Sequence, residues 1–356
     1  MKKRTTLIAM AMIMIAQITS ATVWRVNNRP NADADFTTIQ AAHNGATSGD
    51  TLYIEGSPTG YGTLACTKQL HIIGTGDFLN DNTETQAFKE VSNVSTITFN
   101  AGSENSIVEG VRVVNTYVLI NTSDITVRRN RFHTSTNAAT TYYGIRIAAN
   151  SSNVLIENNW IYIAGYYAYA TNYGIHSNGA NLSNLTIRNN YIYTHKTNAA
   201  SYSIYLSATV LSDNVAIYQN VINTNNSASI LSAQQTQFYN NIMIAGTFTP
   251  DGSYYNNNMG NSTQFGSTNG NQENVAPATI FVDYTTGIDS DLQLIPATSP
   301  AIGAGIAGED CGIYGGSYPY HISLLPAIPA IWEVTLNNYG SDVVPINVNI
   351  KAKAHN

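Results

Sequence analysis

Three polar residues at a regular spacing are the most chemically suggestive feature of this sequence. Arg146, His176 and Tyr205 lie 30 and 29 residues apart. Removing a proton next to a carboxylate requires a cation to stabilise the developing enolate and a base of suitable pKa. Arg146 supplies the cation, and His176 or Tyr205 supplies the base, so the set predicts a polysaccharide lyase acting on a uronate by β-elimination. The alternative is that these residues lie on an ordinary exposed strand face.

Aromatic residues recur with a similar spacing. If alternate residues of each strand face outwards, they form one exposed strip beside an aromatic-rich loop. The strip and loop contribute Trp160, Tyr162, Tyr191, Tyr193, Tyr166 and Tyr167. Exposed aromatic rings stack on the apolar faces of sugars, so the strip predicts contact with a polysaccharide or a cell-surface glycan. The alternative is that these aromatic pairs only stabilise the sheet.

Both sets belong to an internal repeat that must position them. Each copy has two apolar residues two apart, an Asn-rich corner and a second short alternating run, which indicates strand, bend and strand. The recurring asparagines are Asn130, Asn159, Asn190, Asn220, Asn241 and Asn258. Such a unit buries its apolar side only by stacking on its neighbours, so the repeat predicts a solenoid. Asparagine side chains at the corners are expected to form internal ladders rather than a ligand site.

A second row of strands, around Tyr143, Tyr173 and Tyr202, keeps the same spacing between the first-row copies. One turn therefore carries at least three strands, and equivalent strands of successive turns run parallel. Parallel crossover connections are right-handed. The expected fold is all-β, a right-handed parallel β-helix with a short N-terminal cap and a C-terminal β-strand extension.

The repeat resembles that of the pectin-lyase-like superfamily, including secreted bacterial proteins with parallel β-helix repeats. Near the start, Asp35-Phe-Thr-Thr-Ile-Gln-Ala-Ala and then Gly49-Asp-Thr are similar to that superfamily's capping helix and first strand. After the coils, Ser299-Pro-Ala-Ile-Gly-Ala-Gly305 is similar to its closing segment, although Gly303 stands where Asp is frequent. The resemblance implies the fold but no single function, because this scaffold hosts lyases, hydrolases, adhesins and inert surface proteins.

The first residues predict export. Lys2, Lys3 and Arg4 precede an apolar run over residues 7–18 and small residues up to Ala21, which is typical of a signal peptide cleaved near Ala21. The run is too short for a membrane span, and no later run is long enough. Loss of three basic residues takes the formal charge from −6 to −9, which argues against a nucleic-acid partner. We expect a secreted, periplasmic or cell-surface protein of undetermined oligomeric state.

Three segments follow from these patterns: a signal peptide over residues 1–21, the β-helix over residues 22–320 and a C-terminal β cap or extension over residues 321–356. The extension contains a predicted strand pair, residues 332–336 and 346–351, which we expect to cover the last coil. An attachment or sorting role is the alternative. Cys66 and Cys311 lie near opposite ends of the solenoid and are expected to be structural and unpaired.

Several signatures of β-helix enzymes are missing from the sequence. The central coils lack the paired carboxylates of glycoside hydrolases and the acidic cluster of a calcium site, so we predict no cofactor, with calcium as a weak alternative at Asp33 and Asp35 or at Asp283, Asp289 and Asp291. Arg128, Glu157, Arg188 and Tyr218 are expected to form a structural ladder of surface ion pairs. The leading hypothesis is glycan contact through the aromatic strip. A lyase and a purely structural surface protein are the alternatives.

Overall fold

The computed structural model describes residues 21–177, 182–195, 201–207, 213–230, 236–249, 254–336 and 340–354. The predicted signal peptide, apart from Ala21, lies outside these residues. In the described chain, the solenoid strands form three parallel sheets of ten, eight and six strands, and a separate antiparallel pair follows. From the strand His71–Ile73 to the strand Val221–Ile230, successive strands pass from the ten-stranded to the eight-stranded to the six-stranded sheet in a fixed order, and the fold is the predicted right-handed parallel β-helix.

The bounds of the elements are as follows. The ten-stranded sheet contains Val23–Val26, Thr51–Ile54, His71–Ile73, Ile107–Glu109, Ile125–Arg128, Ser152–Glu157, Ser183–Arg188, Asp213–Tyr218, Gln237–Tyr239 and Tyr254–Asn256. The eight-stranded sheet contains Asn93–Val94, Arg112–Val114, Arg131–Thr136, Trp160–Gly165, Tyr191–Thr194, Val221–Ile230, Ile242–Thr249 and Met259–Gly260. The six-stranded sheet contains Leu64–Cys66, Ile97–Phe99, Val118–Ile120, Thr141–Ile147, Thr171–Ser177 and Tyr202–Leu206. Helical segments are Ile39–Gly45, Pro277–Ile280, Asp289–Leu292, Ile306–Gly308 and Ile322–Leu324.

Apolar residues stack inside the solenoid at equivalent positions of successive turns. Val127, Ile156, Ile187 and Ile217 are in register on the ten-stranded sheet, and each is fully buried. Their spacing along the solenoid is that of neighbouring strands, roughly 4.8 Å. The helix Ile39–Gly45 covers the first coils with Ile39 and Ala42, as the predicted cap requires.

The corner asparagines form the predicted internal ladder. The buried side chains run from Asn130 through Asn159, Asn190, Asn220, Asn241 and Asn258 to Asn271, and each amide donates to the next carbonyl oxygen at 2.9–3.1 Å. Each carbonyl oxygen also accepts a backbone N–H from the neighbouring turn, as Asn190 does from Asn159 at 2.9 Å. The ladder thereby satisfies corner groups that water does not reach.

The residue before each ladder asparagine has a different task. Asn158, Asn189 and Asn240 have positive φ, a conformation that asparagine tolerates better than most residues. Their side chains bond a C-terminal strap, which we define as residues 277–325. Asn240 accepts from the Ile306 N–H at 2.9 Å, Asn189 donates to the Ile313 carbonyl at 2.9 Å, and Asn158 donates to the Tyr318 carbonyl at 3.2 Å. The strap therefore runs back along the solenoid corner.

The antiparallel pair after the strap consists of Ala330–Leu336 and Val348–Lys353. This confirms the predicted strand pair but not its predicted position. Its contacts reach the first part of the solenoid, because the Ala87 N–H donates to the Ile331 carbonyl and Lys353 pairs with Glu84. At the last coil, Phe265 packs on Phe238 and Phe248 instead. The expectation that the hairpin covers the last coil is therefore wrong.

Both cysteines are free and buried in separate apolar clusters. Cys66 faces the interior of the solenoid, whereas Cys311 belongs to the strap and is buried in the cluster that the strap forms with Trp160 and Tyr191. This confirms that they are structural and unpaired. In the described residues, no helix is long and apolar enough to cross a membrane.

Candidate functional site

The outer face of the six-stranded sheet brings two predicted rows together. Tyr143, Tyr173 and Tyr202 are in register, and so are Arg146, His176 and Tyr205. The second row is the column predicted from sequence spacing, so its alignment is confirmed. Both rows face outwards although they are three residues apart, because Gly144 and Ile145 are both buried between Tyr143 and Arg146.

Two of the three strands have glycine at this inward position, and Ser203 takes the equivalent place in the third. A Cβ atom on Gly144 would lie 2.6 Å from the Gly174 carbonyl oxygen and 2.8 Å from Ile161 Cγ2, and one on Gly174 would lie 2.6 Å from Ile192 Cγ2. These distances are shorter than van der Waals contact, so a larger residue would push the strand outwards. The close approach of backbone and core therefore leaves no room for a side chain at Gly144 or Gly174.

We call Tyr143, Tyr173, Tyr202 and Tyr205, with Arg146 and His176, the tyrosine face. Ring centroids are 5.3 Å apart between Tyr143 and Tyr173 and again between Tyr173 and Tyr202, with interplanar angles of 8° and 15°. Nearly parallel neighbours cover much of each other's faces, so the rings present mainly edges and hydroxyl groups. The phenol groups of these four tyrosines make no hydrogen bond to a described residue. Burial, followed by the nearby tyrosines, raises the pKa of Tyr173 to about 12, so its hydroxyl remains a donor at neutral pH.

His176 is enclosed by the rings of the tyrosine face. Its imidazole lies 4.4 Å from the Tyr173 ring centroid and stacks on Tyr205 at 5.5 Å. Only 6% of the residue is exposed, and Nδ1 is buried without a hydrogen-bond partner in the described part of the chain. Burial, and then the positive charge of Arg146, lowers the pKa of His176 to about 4. The imidazole is therefore uncharged at neutral pH.

Arg146 is the exposed member of the column. Its guanidinium carbon lies 5.5 Å from the Tyr143 ring centroid. It forms no ion pair with any residue that the structure describes, whereas Arg112, Arg128 and Arg188 pair with acids. An exposed guanidinium beside aromatic rings can bind a planar carboxylate through two parallel hydrogen bonds. The catalytic roles of Arg146, His176 and Tyr205 stay a prediction.

The aromatic strip predicted on the eight-stranded sheet is only partly exposed. Trp160 pairs in register with Tyr191, as expected, but these residues are only 2% and 6% exposed. The prediction that they lie on the surface is wrong. Alternation correctly places them outside the solenoid, but strap residues including Phe281, Ile313 and Tyr320 pack over them.

The outer part of that strip remains accessible. Tyr162 and Tyr193 are half-buried and stack at 4.6 Å, and Tyr166 on the adjacent loop is exposed, with its hydroxyl 3.4 Å from that of Tyr162. Tyr167 instead packs against the solenoid core. Ligand contact by the strip stays a prediction, and the accessible part of it is limited to Tyr162, Tyr193 and Tyr166.

The predicted ion-pair ladder on the ten-stranded sheet forms only in part, because Arg128 pairs with a different acid from the one expected. Arg188 pairs with Glu157 at 2.6 Å and donates to the Tyr218 hydroxyl at 3.0 Å. Arg128, however, pairs at 2.9 Å with Glu109, one turn earlier, rather than with Glu157. Arg128 pairs with Glu109 because Glu109 is fully buried and needs a cation, whereas Glu157 already forms an ion pair with Arg188.

The aspartates considered for calcium accept hydrogen bonds from nearby backbone and side-chain groups, and calcium binding stays a prediction. Asp283 accepts from Thr285, and Asp291 accepts from the Thr286 hydroxyl. Asp289 is fully buried and bonds strap and loop residues. Asp35 accepts from the Arg25 N–H at 2.8 Å. No group of three or more His, Cys, Asp or Glu side chains suited to a metal occurs in the described ranges.

Asp77 belongs to an ionic cluster that sequence analysis missed. Its carboxylate is 1% exposed and accepts from Arg112 at 2.5 Å and Arg131 at 2.7 Å. Burial opposes ionisation, but the two guanidinium groups outweigh it and lower the pKa of Asp77. Arg112 and Arg131 are in register on neighbouring strands of the eight-stranded sheet, but Asp77 lies outside the strands, so the repeat gave no signal for their carboxylate partner. Because its charges are paired and its acid is enclosed, the cluster fits a structural role.

No protein-family model matches the chain, and no curated protein matches it in sequence. Among solved structures, the chain is similar to the crystal structure of pectate lyase Pel9A. The sequence identity is 14%, the alignment covers 86% of this chain and 96% of that one, and the TM-score is 0.39.

Proposed function

We propose that this chain is an exported β-helix protein that binds an anionic polysaccharide on its tyrosine face. One observation carries the proposal: a regular row of phenol groups lies beside Arg146, an exposed guanidinium that is not paired with a described acid. Hydroxyl groups at the strand spacing suit a polymer that repeats its hydroxyls, and the guanidinium suits a carboxylate on one of its sugars.

Because the chain is acidic overall, attraction to an anionic polysaccharide is limited to the tyrosine face. The formal net charge is −6 for the full chain and −9 without residues 1–21, so the protein as a whole repels a polyanion. Attraction has to come from Arg146 and from hydrogen bonds of the neighbouring tyrosines. Binding should therefore weaken as the salt concentration rises, with a shallow dependence that reflects few ionic contacts.

Substitutions of Tyr173 test this proposal. Tyr173→Phe keeps the ring stack and removes one hydroxyl, which we expect to raise the Kd for a polyuronate about fivefold, equivalent to one hydrogen bond of roughly 1 kcal/mol. Tyr173→Ala should raise it at least tenfold, or about 1.4 kcal/mol, by removing the central ring. Affinity electrophoresis in gels containing pectate or alginate measures both.

The matched control is Tyr53→Ala, because Tyr53 is also a half-buried tyrosine on an outer sheet face, but on the ten-stranded sheet. It should bind like the parent protein. Equal weakening by Tyr53→Ala and Tyr173→Ala, at unchanged melting temperature, would contradict a site on the tyrosine face. Arg146→Gln should remove the preference for charged over neutral polymers.

A lyase activity on the same face has one supporting observation, the uncharged His176 next to Arg146. A general base must come within hydrogen-bonding distance of the proton it removes. His176 is covered by Tyr173 and Tyr143, so a polymer reaches it only if these rings move. The same protein and polymer mixtures, followed by ultraviolet absorbance, separate the two functions. New unsaturated ends indicate a lyase, and a flat trace with retained affinity indicates binding alone.

A further inference from the structure

The end of the ten-stranded sheet has a second aromatic surface, on a different sheet from the tyrosine face. In its last three strands, Tyr218, Tyr239 and Asn256 are in register, and Gln237 pairs with Tyr254 in the adjacent row. Tyr218 and Tyr239 stack at 4.8 Å with an interplanar angle of 4°, which fixes the Tyr239 ring.

Two depressions meet on this surface. One has a volume of about 360 Å³ and is lined by Gln237, Tyr239, Tyr254, Asn256 and Ile306. The other has a volume of about 520 Å³ and is lined by Tyr254, Tyr255, Asn256, Asn257 and Asn269. They share the lining residues Tyr254 and Asn256 and are therefore adjacent, and we call the two together the tyrosine–amide trough.

The strap builds one wall of this trough. Ile306 is 39% exposed and is held by its N–H, which donates to Asn240 at 2.9 Å. On the floor, Asn257 donates to the strap carbonyl of Ala304 at 3.0 Å. The wall is therefore anchored to the same corner residues that hold the strap, and its position relative to the sheet is fixed.

The chemistry of the lining is neutral. The described lining residues are three tyrosines, one glutamine, three asparagines and one isoleucine, with no charged side chain. The side-chain amides of Gln237 and Asn256 make no hydrogen bond within the described part of the chain. Nearby charges are already engaged, since Glu309 accepts from Gln219 and Arg188 pairs with Glu157. An ionic ligand has no partner in this lining, whereas a hydroxyl-rich ligand has several.

Tyr254 distinguishes this trough from the tyrosine face. It is 69% exposed, and its ring contacts no other aromatic ring of the described residues, so its faces are open. An open aromatic face packs on the apolar C–H face of a sugar, and flanking amides bond its hydroxyls. We propose that the tyrosine–amide trough is a second binding site, specific for a neutral saccharide.

Affinity electrophoresis in gels containing neutral polysaccharides tests this inference, with galactan, xylan, mannan and mixed-linkage glucan as probes. We expect at least one of them to retard the mature protein. Tyr254→Ala should raise the Kd for that polymer at least tenfold, about 1.4 kcal/mol, and Asn256→Ala should weaken binding in the same direction. Both substitutions lie at the surface and should leave the melting temperature unchanged.

The matched control is Tyr169→Ala, because Tyr169 is 73% exposed but lies on a loop outside the trough. It should bind like the parent protein. The inference is overturned if none of the four polymers retards the protein, or if Tyr254→Ala and Tyr169→Ala behave alike. Tyr173→Ala distinguishes the two sites, since it should weaken binding of the polyuronate and leave binding of the neutral polysaccharide intact. Either proposal can therefore fail without the other.

Discussion

Paired asparagines divide two tasks between neighbouring residues. In Asn158-Asn159 and Asn189-Asn190, the second residue joins the buried ladder and the first takes positive φ and bonds the strap. Asn240-Asn241 repeats the arrangement. The ladder was predictable from sequence because its period matches the strands. The contacts with the strap were not predicted. A ladder needs only one asparagine at each corner, so the additional asparagine of each pair was the signal for another contact.

Asp289 is a buried carboxylate whose titration is expected to change the stability of the fold. Its carboxylate is fully buried, accepts from Asn82 at 2.8 Å and from the Ser323 N–H at 2.6 Å, and has no ion-pair partner among the described residues. Burial raises its pKa from 3.8 to about 6, although the hydrogen bonds oppose the shift. The folded state therefore favours the protonated acid.

This pKa shift predicts that the free energies of unfolding of the parent protein and of Asp289→Asn differ by an amount that depends on pH. The contribution of Asp289 is fully present below about pH 3.8 and is lost as the pH rises through about 6. The total loss is on the order of 3 kcal/mol, from about 1.4 kcal/mol per pKa unit. Urea unfolding between pH 4 and 7 should show the parent losing stability relative to the variant as the pH rises. A constant difference would contradict the assignment.

The strap and the hairpin are the two elements at the C-terminal end, and they differ in burial. The strap buries Phe281, Ile313 and Tyr320 against Trp160 and Tyr191. In the hairpin, Ala330 is the only residue buried in the described part, and the strand Val348–Lys353 is exposed throughout. The aromatic strip was misjudged for this reason, because strand alternation shows which residues point out of a solenoid but not which later segment covers them.

Two truncations separate these elements. Ending the chain after Pro329 removes the hairpin and should change the Tm by less than about 2 °C. Ending it after Pro296 also removes Ala301, Cys311, Ile313, Tyr320 and Leu324, which are buried. At roughly 1.5–3 kcal/mol for each large apolar side chain, we expect the Tm to fall by more than about 10 °C.

Tryptophan fluorescence gives a second measure of the same comparison. Both truncated chains lack Trp332 and keep Trp24 and Trp160. A red shift confined to the shorter chain would report exposure of Trp160. Equal spectra and equal Tm values in the two chains would show that residues 297–325 of the strap do not stabilise the solenoid.

In the whole molecule, the regular features were predictable and the long-range ones were not. The period of the apolar residues predicted the three sheets, and the register of Arg146, His176 and Tyr205 followed from it. The enclosure of His176 was not predictable, because it depends on how Tyr143 and Tyr173 fold over it. Tyr143, Tyr173 and Tyr202 marked the second row of strands in the sequence. Their spacing alone did not show that these tyrosines form an exposed aromatic surface on the six-stranded sheet.

The two proposed sites have different chemistry and lie on different sheets. The tyrosine face has a cation and stacked rings, whereas the tyrosine–amide trough has open ring faces and neutral amides. A branched polysaccharide with both charged and neutral sugars could contact both. Because each site is anchored to a rigid β-helix, neither requires a large rearrangement to bind.

Hydroxyl-radical footprinting of residues 22–356, with and without a polyuronate, tests the central claim most directly. Oxidation of each tyrosine is read by mass spectrometry, so protection locates the polymer on the surface. We predict protection of Tyr143, Tyr173 and Tyr202, with Tyr53 and Tyr169 unchanged. Protection that omits these three tyrosines, or no protection at polymer concentrations that retard the protein in gels, would contradict binding at the tyrosine face.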